Sequence, residues 1–151
     1  MEQIKIGAWT IAIDVGKTTS FYDECHLITE DCKCDYCANY VLACEKLPQS
    51  VKDLFHSLGI DPRKEGEVSH YLENKDGTHL YHVFYHIVGT IIEGPELWAP
   101  TTEESETSSP NCVEQNGIDI GFSEDLDLVP EEFPTPTIQF EIQMNVPWIF
   151  S

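Results

Sequence analysis

The chain has 151 residues, with 27 acidic side chains against eight basic ones, and its formal net charge is -19 at pH 7. This length suits one domain with a hydrophobic core, and no apolar run reaches the roughly 18 residues that a membrane span needs. We therefore expect no membrane insertion, and because a chain this acidic repels phosphate backbones, we also expect no nucleic-acid binding.

The first segment of the chain is predicted to be extended. Residues 3–14 alternate loosely and are rich in Ile, Trp and Thr, which predicts a strand with a bend near Gly7. A turn at residues 14–16 then leads to a second extended piece at residues 18–22, which we expect to pair back with the first. Residues 26–29 could extend the same sheet.

Helical spacing begins after Asp35, which we predict to be the N-cap of a helix at about residues 36–46. Pro48 separates this helix from a second one at about residues 49–58. Gly59 is the glycine that commonly ends a helix. The apolar side of the second helix is predicted to consist of Val51, Leu54, Phe55 and Leu58.

The rest of the chain is dominated by β patterns. Residues 67–73 and 78–93 predict two strands of a hairpin, joined by a turn that contains Asp-Gly. Residues 118–122 predict a short strand. Residues 137–146 alternate strictly, which is typical of an antiparallel strand with one face in water. The side chains predicted to face water are Gln139, Glu141, Gln143 and Asn145.

These elements predict a single α+β domain over residues 1–151. Its main feature is a mainly antiparallel sheet of about five to seven strands, with two short helices (about 36–46 and 49–58) inserted between the first strands and the rest. Residues 99–116 are rich in Ser, Thr and Glu and have no apolar period. We expect an exposed, flexible acidic loop there.

Cysteines are concentrated in one stretch, where Cys32, Cys34 and Cys37 stand close together. The N-terminus lacks the basic segment and uninterrupted apolar core of a signal peptide, so we expect a cytoplasmic location in which thiols stay reduced. Zinc binds four soft or borderline ligands in a tetrahedron, and the spacing of Cys34 and Cys37 presents two thiolates to one ion. Cys25 or His26 could complete the set.

Two other interpretations of the cysteines stay open. On a helix that begins near Asp35, Cys37 and Cys44 lie on one apolar side with Tyr40 and Val41, which favours buried thiols that act as small hydrophobic side chains. Cys44 is also a candidate fourth zinc ligand. A redox pair is the third interpretation, but the parallel βαβ elements that usually surround such a pair are missing from the pattern.

Four histidines form the second candidate group, with His70 in one predicted strand and His79, His82 and His86 in the next. On a strand, His82 and His86 share a face but lie about 13 Å apart, too far for one metal ion. His70 could pair with a histidine across the hairpin. We expect structural or interface histidines here.

The charge distribution is also unusual, because residues 76–151 contain 14 acidic residues and neither lysine nor arginine. Such a surface attracts a basic protein and speeds the encounter. The sequence has no nucleophile elbow, phosphate loop or dinucleotide fingerprint, so it predicts no catalytic residue and no organic cofactor. The predicted partner-binding residues are Glu103, Glu104, Glu106, Asp125, Asp127, Glu131 and Glu132.

The sequence therefore predicts a non-enzymatic binding protein of the immunity or inhibitor kind, which engages a basic protein partner. The alternative is a zinc protein, structural or catalytic, that uses the cysteine cluster. A third candidate is a small-molecule pocket between the sheet and the helices. Its predicted lining is Trp9, Tyr81, Tyr85 and Trp148.

A series of short motifs runs along most of the chain outside residues 99–116. In chain order they are Cys34-x2-Cys37-x-Asn39, LGIDPRK (58–64), EV (67–68), DG (76–77), YHIVG (85–89) and PW (147–148). The series resembles a family of small bacterial proteins for which no activity is established. The resemblance implies a bacterial, cytoplasmic protein and draws attention to Cys34, Cys37 and His86, and Ile87 stands where the family pattern has Phe.

Overall fold

The structure is a computed structural model, and it describes residues 1–64, 67–94, 113–115, 118–124, 126 and 132–150. Within these ranges seven strands form one sheet, accompanied by four helices. The strands are β1 (Glu2–Ile6), β2 (Trp9–Ile13), β3 (Glu67–Glu73), β4 (Thr78–Glu93), β5 (Val113–Gln115), β6 (Ile118–Ser123) and β7 (Thr137–Pro147). The helices are α1 (Val15–Glu24), α2 (Ile28–Asp31), α3 (Asp35–Cys44) and α4 (Gln49–Leu58).

The sheet is antiparallel, with strand order β1-β2-β4-β7-β6-β5, and β3 also pairs with β4. β4 is the central strand, because it is paired on both edges. β7 pairs with one edge from Thr78 to Val88, and β3 and β2 pair with different parts of the other edge. The predicted α+β class with a mainly antiparallel sheet is confirmed, and the predicted hairpin of residues 67–73 and 78–93 matches β3 and β4.

The hydrophobic core lies between one face of the sheet and helices α3 and α4. The Phe55 ring of α4 meets Tyr85 of β4 at 5.4 Å and Phe140 of β7 at 6.0 Å, both edge to face. The Tyr40 hydroxyl of α3 shares a hydrogen bond with that of Tyr85. The apolar side predicted for the second helix is buried, and Gly59 ends that helix with a left-handed φ of 81°, as predicted.

Side chains on the opposite face of the sheet are less exposed to solvent than the alternation in β7 predicts. Gln139 and Glu141 were expected in water, but only 1% and 4% of their surfaces are exposed. The Glu141 carboxylate lies 2.8 Å from His82 Nε2 and accepts a hydrogen bond from the Gln139 amide at 2.9 Å. A buried carboxylate is stable when it is paired in this way. The predicted water-facing side therefore applies to Asn145, which is exposed, and only partly to Gln143.

The N-terminal segment differs most from its prediction. Residues 3–14 do not form one bent strand but the hairpin of β1 and β2, because Gly7 adopts a left-handed φ of 59° and the chain reverses there. Residues 18–22, predicted to be extended, lie inside α1. These residues are helical because the Asp14 carboxylate accepts a hydrogen bond from the backbone N–H of Lys17 at 2.9 Å and caps the first turn.

Two short elements also differ from the prediction. Residues 26–29 do not extend the sheet, apart from one isolated bridge between Leu27 and Lys64, and α2 begins within them. β5 falls inside the predicted acidic loop of residues 99–116, where it pairs with β6. Residues 99–112 and 116 lie outside the described part of the chain.

The first predicted helix is slightly displaced. α3 begins at Asp35 and ends at Cys44, and its N-cap is Cys34 rather than Asp35. The cap is a thiol, since the Cys34 sulfur accepts from the backbone N–H of Cys37 at 3.4 Å. With α1 and α2, the described residues contain two helices more than predicted. None of these helices is long and apolar enough to cross a bilayer.

Helix α1 completes the part of the β4 edge that lies between β3 and β2. The Tyr22 hydroxyl donates to the carbonyl of His86 at 2.9 Å and accepts from its N–H at 3.1 Å. Thr18 Oγ1 accepts from the N–H of Val88 at 3.0 Å, and the N–H of Asp14 donates to the Val88 carbonyl at 2.8 Å. Side chains of α1 thus replace a missing strand partner for buried backbone groups.

Removing the Tyr22 hydroxyl should therefore destabilise the protein out of proportion to its size. We expect Tyr22→Phe to lower the free energy of unfolding by about 1–3 kcal/mol, because two buried backbone groups of His86 lose a partner. Urea unfolding at pH 7 measures the change. Tyr71→Phe is the control, since Tyr71 is 53% exposed, and should change little. Equal unfolding midpoints for the two variants would contradict this role of α1.

Candidate metal centre

Three cysteines meet where α2 passes into α3. Cys32 ends α2, and its backbone N–H donates to the carbonyl of Ile28 at 2.9 Å. Cys34 is the N-cap of α3, and Cys37 lies in the first turn of that helix. Only Lys33 separates the end of one helix from the cap of the next. The tight connection therefore brings the three thiols together.

The three sulfur atoms form one compact group. Cys37 Sγ lies 2.8 Å from Cys32 Sγ, and Cys32 Sγ lies 3.2 Å from Cys34 Sγ. All three lie within 4.8 Å of one another, and within the described ranges no other group of three or more histidine, cysteine or acidic side chains is as close. Cys34 is exposed, Cys32 is half-buried and Cys37 is buried. The cluster thus reaches from the surface into the core.

The local environment separates the acidities of Cys34 and Cys37. Partial desolvation opposes ionisation of Cys34, but hydrogen bonds from the Cys37 backbone and from the thiols of Cys32 and Cys37 outweigh it, so the pKa of Cys34 lies below its ordinary value. Burial, helped by hydrogen bonds with the two other thiols, raises the pKa of Cys37 well above the ordinary range. Cys34 is therefore the more readily ionised of the two.

The donor set fits a soft divalent ion. A tetrahedral zinc site with Zn–S bonds of about 2.3 Å places its sulfur atoms about 3.8 Å apart. The observed sulfur–sulfur distances of 2.8 and 3.2 Å are shorter than this spacing, so the three sulfur atoms would have to move apart around an ion. Three thiolates favour zinc over magnesium or calcium, which prefer oxygen ligands.

The other predicted ligands lie outside this group. Cys25, half-buried, follows the end of α1, and His26 is exposed; neither belongs to the three-sulfur cluster. Cys44 is buried at the end of α3, where burial raises its pKa to about 12. It is a core thiol, as its helical spacing with Cys37 indicates. Cys37 combines both interpretations, since it is buried and also belongs to the cluster.

The histidines divide between the two faces of the sheet. His70 Nε2 and His79 Nδ1 are 2.7 Å apart across the β3–β4 hairpin, so the cross-strand pair is formed. His82 contacts Glu141 on the other face, and His86 is buried. The described structure brings none of the four into the cysteine cluster.

A pocket that the sequence pattern did not reveal lies next to Cys34. It has a volume of about 500 Å³ and combines aromatic and acidic side chains from α3, β3, β4 and the C-terminal segment. Its lining is Cys34, Asp35, Tyr36, Glu73, Gly77, His79 and Trp148. Residues 35–36 and 148 are separated by most of the chain, and hydrogen bonds between Asn39 of α3 and the backbone of residues 147, 149 and 150 hold the two segments together.

The predicted small-molecule pocket is not formed as expected. Trp9, Tyr81 and Tyr85 are fully buried in the core, while Trp148 lines a cavity formed by the described residues. A cavity of about 430 Å³ opens instead beside α1 and α4, with Tyr22 and Phe55 in its wall and Lys52 and Arg63 among its charged groups.

Most of the predicted partner-binding acids lie outside the described residues, which include only Glu132, an exposed side chain. The six others are Glu103, Glu104, Glu106, Asp125, Asp127 and Glu131.

Comparison of the chain with protein-family models, with curated protein sequences and with solved structures finds no match.

The cluster should show graded thiol reactivity. In reduced, chelator-treated protein at pH 7, we expect limiting iodoacetamide to alkylate Cys34 several-fold faster than Cys37 or Cys44, because the thiolate is the reacting species. Peptide mass spectrometry measures the order of modification. Equal rates at Cys34 and Cys44 would contradict the different environments of these two thiols.

Proposed function

We propose that the protein binds one zinc ion through Cys32, Cys34 and Cys37. The observation that carries this proposal is the convergence of three sulfur atoms within 4.8 Å. Thiolate sulfur is a preferred zinc ligand, and the Cys34–Cys37 spacing is typical of zinc sites.

Core packing alone does not account for the cluster. Cys37 is buried, but Cys34 is exposed and Cys32 is only half-buried, so two of the three thiols contribute little to the core. Exposed cysteines are unusual in this respect, because free cysteine is among the most buried residue types.

A metal ion at this position would stabilise a weak part of the fold. α2 has four residues, far fewer than a helix needs to be stable on its own. Bonds from one ion to Cys32 and to Cys34 and Cys37 would fasten its end to the start of α3. Since a metal site is absent from the unfolded chain, the binding free energy adds to the stability of the folded state.

The described residues supply three protein ligands and leave one position of a tetrahedron free. No fourth histidine, cysteine or acidic side chain within the described ranges joins the group. Water or a ligand from outside would take that position, as in zinc sites that exchange a ligand.

Metal content and stability test this proposal together. Protein purified without added metal should contain about one zinc per chain by elemental analysis. Removal with a chelator should lower the melting temperature by about 4–8 °C, which corresponds to a loss of about 2 kcal/mol. Both Cys34→Ser and Cys37→Ser should lose most of the zinc.

Cys25→Ser is the matched control, because Cys25 is a half-buried cysteine outside the cluster. It should retain wild-type zinc content. Wild-type protein with far less than one zinc per chain would refute the proposal, and so would equal losses from Cys25→Ser and Cys34→Ser. A Cys34–Cys37 disulfide that forms under mild oxidation and is readily reduced again by a thiol would instead support the redox interpretation.

A second function, binding of a basic protein partner, is favoured by the charge distribution. All lysine and arginine residues precede residue 76, while the second half carries 14 acidic ones. Several described acids of that half are exposed, which supports an acidic surface open to a partner. They are Asp76, Glu93, Asp119, Glu124 and Glu132.

Partner binding should be electrostatic and local to the second half. Pull-downs from the native host at low salt should recover a basic protein whose affinity falls at least tenfold at about 0.3 M salt. Combined Glu103→Gln, Glu104→Gln and Glu106→Gln should weaken it about tenfold. Glu2→Gln, Asp23→Asn and Glu24→Gln make the same charge change elsewhere and should have a small effect. Recovery of no basic protein would refute this function.

A further inference from the structure

We propose that the pocket beside Cys34, which we call the Tyr36–Trp148 pocket, binds the ammonium group of a lysine side chain from a protein partner. The pocket is lined by Cys34, Asp35, Tyr36, Glu73, Gly77, His79 and Trp148. The inference deepens the second proposed function, since it gives a basic partner a specific anchor. It does not depend on the zinc ion.

Two aromatic rings give the pocket its shape. The rings of Tyr36 and Trp148 lie 5.9 Å apart at an angle of 75°, so they form two nearly perpendicular walls. His70 stacks on Tyr36 at 4.1 Å without lining the pocket, and His79 packs against Trp148 at 4.6 Å. The surfaces of aromatic rings attract cations, and sites with several such walls recognise alkylammonium groups.

The charged groups of the pocket favour a cation. Asp35 and Glu73 are exposed acids in its lining, and none of the described residues that line it is lysine or arginine. His79 shares a hydrogen bond with His70 at 2.7 Å, in which one of the two ring nitrogens is the acceptor.

The shape of the pocket favours lysine over arginine. Perpendicular walls surround a rounded ammonium group and leave room for its apolar stem to lie along the rings. A guanidinium group is planar and binds best when stacked flat on one ring or paired side by side with a carboxylate. The volume of about 500 Å³ accommodates a single long side chain.

The Trp148 wall is held in place before any ligand arrives. Asn39 of α3 is fully buried, and its Oδ1 accepts hydrogen bonds from the N–H groups of Ile149 at 2.7 Å and Phe150 at 3.0 Å. Its amide donates to the carbonyl of Pro147 at 3.1 Å. These three hydrogen bonds fix the backbone on both sides of Trp148, so the entropic cost of ordering this wall upon binding is small.

Titration with small lysine analogues tests the pocket directly. We would add Nα-acetyl-lysine methylamide, and separately its trimethylated form, to ¹⁵N-labelled protein and follow the Trp148 indole N–H. We expect saturable shifts with dissociation constants of about 1–10 mM. The acetyl-norleucine analogue, which has no charge, should cause no saturable shift, and the arginine analogue should bind more weakly.

Two variants separate the pocket from a general charge effect. Glu73→Gln should weaken binding about threefold, and Glu93→Gln, an equal change at an exposed acid outside the pocket, should not. Trp148→Leu should abolish the saturable shift of the Tyr36 amide, with folding checked from the rest of the spectrum. If that variant unfolds, the pair of glutamate variants still decides the question.

Several results would overturn the inference. These are no saturable shift by about 20 mM analogue, equal binding of the norleucine analogue, tighter binding of the arginine analogue, or equal effects of Glu73→Gln and Glu93→Gln. The experiment needs neither zinc nor the partner. Refutation of lysine binding by this pocket would therefore not affect the zinc proposal or the salt-dependent partner test. Conversely, a measured affinity for the lysine analogue would remain valid if either of those two proposals were refuted.

Discussion

The structure depends on the pairing of β4 along both of its edges. β7 covers one edge over eleven residue pairs, while β3, α1 and β2 share the other. Because α1 satisfies the backbone of His86 and Val88 with the side chains of Tyr22 and Thr18, the strand has no open gap between its two neighbours. At the other end of β4, pairing with β3 and β7 places His79 in the lining of the Tyr36–Trp148 pocket.

Cys34 connects the two proposed sites. It caps α3, contributes a sulfur atom to the cysteine cluster and lines the Tyr36–Trp148 pocket. Three thiolates and one divalent ion carry a net negative charge, which would favour a cation in the adjacent pocket. An ion that orders the start of α3 would also order Asp35 and Tyr36, which follow Cys34 directly. Metal binding and recognition of a basic partner are therefore compatible in one molecule.

Strands β3, β4, β6 and β7 and helices α3 and α4 could be predicted because their residue patterns agree with the tertiary structure. The α1 segment could not, since its Thr-rich pattern resembles a strand and the decisive contacts, from Tyr22 to His86, span 64 positions. Likewise, Cys32, Cys34 and Cys37 could be chosen by spacing. The exclusion of Cys25 depends on where α1 ends, and the approach of Tyr36 to Trp148 depends on hydrogen bonds from Asn39 to residues more than 100 positions away, so neither is visible in a local pattern.

The most direct test of the central claim is X-ray absorption at the zinc edge, on protein purified without added metal. Coordination by the cluster predicts a first shell with three sulfur atoms at about 2.3 Å and one lighter ligand. A first shell of nitrogen and oxygen alone, or a sample without a zinc edge, would contradict metal binding by Cys32, Cys34 and Cys37.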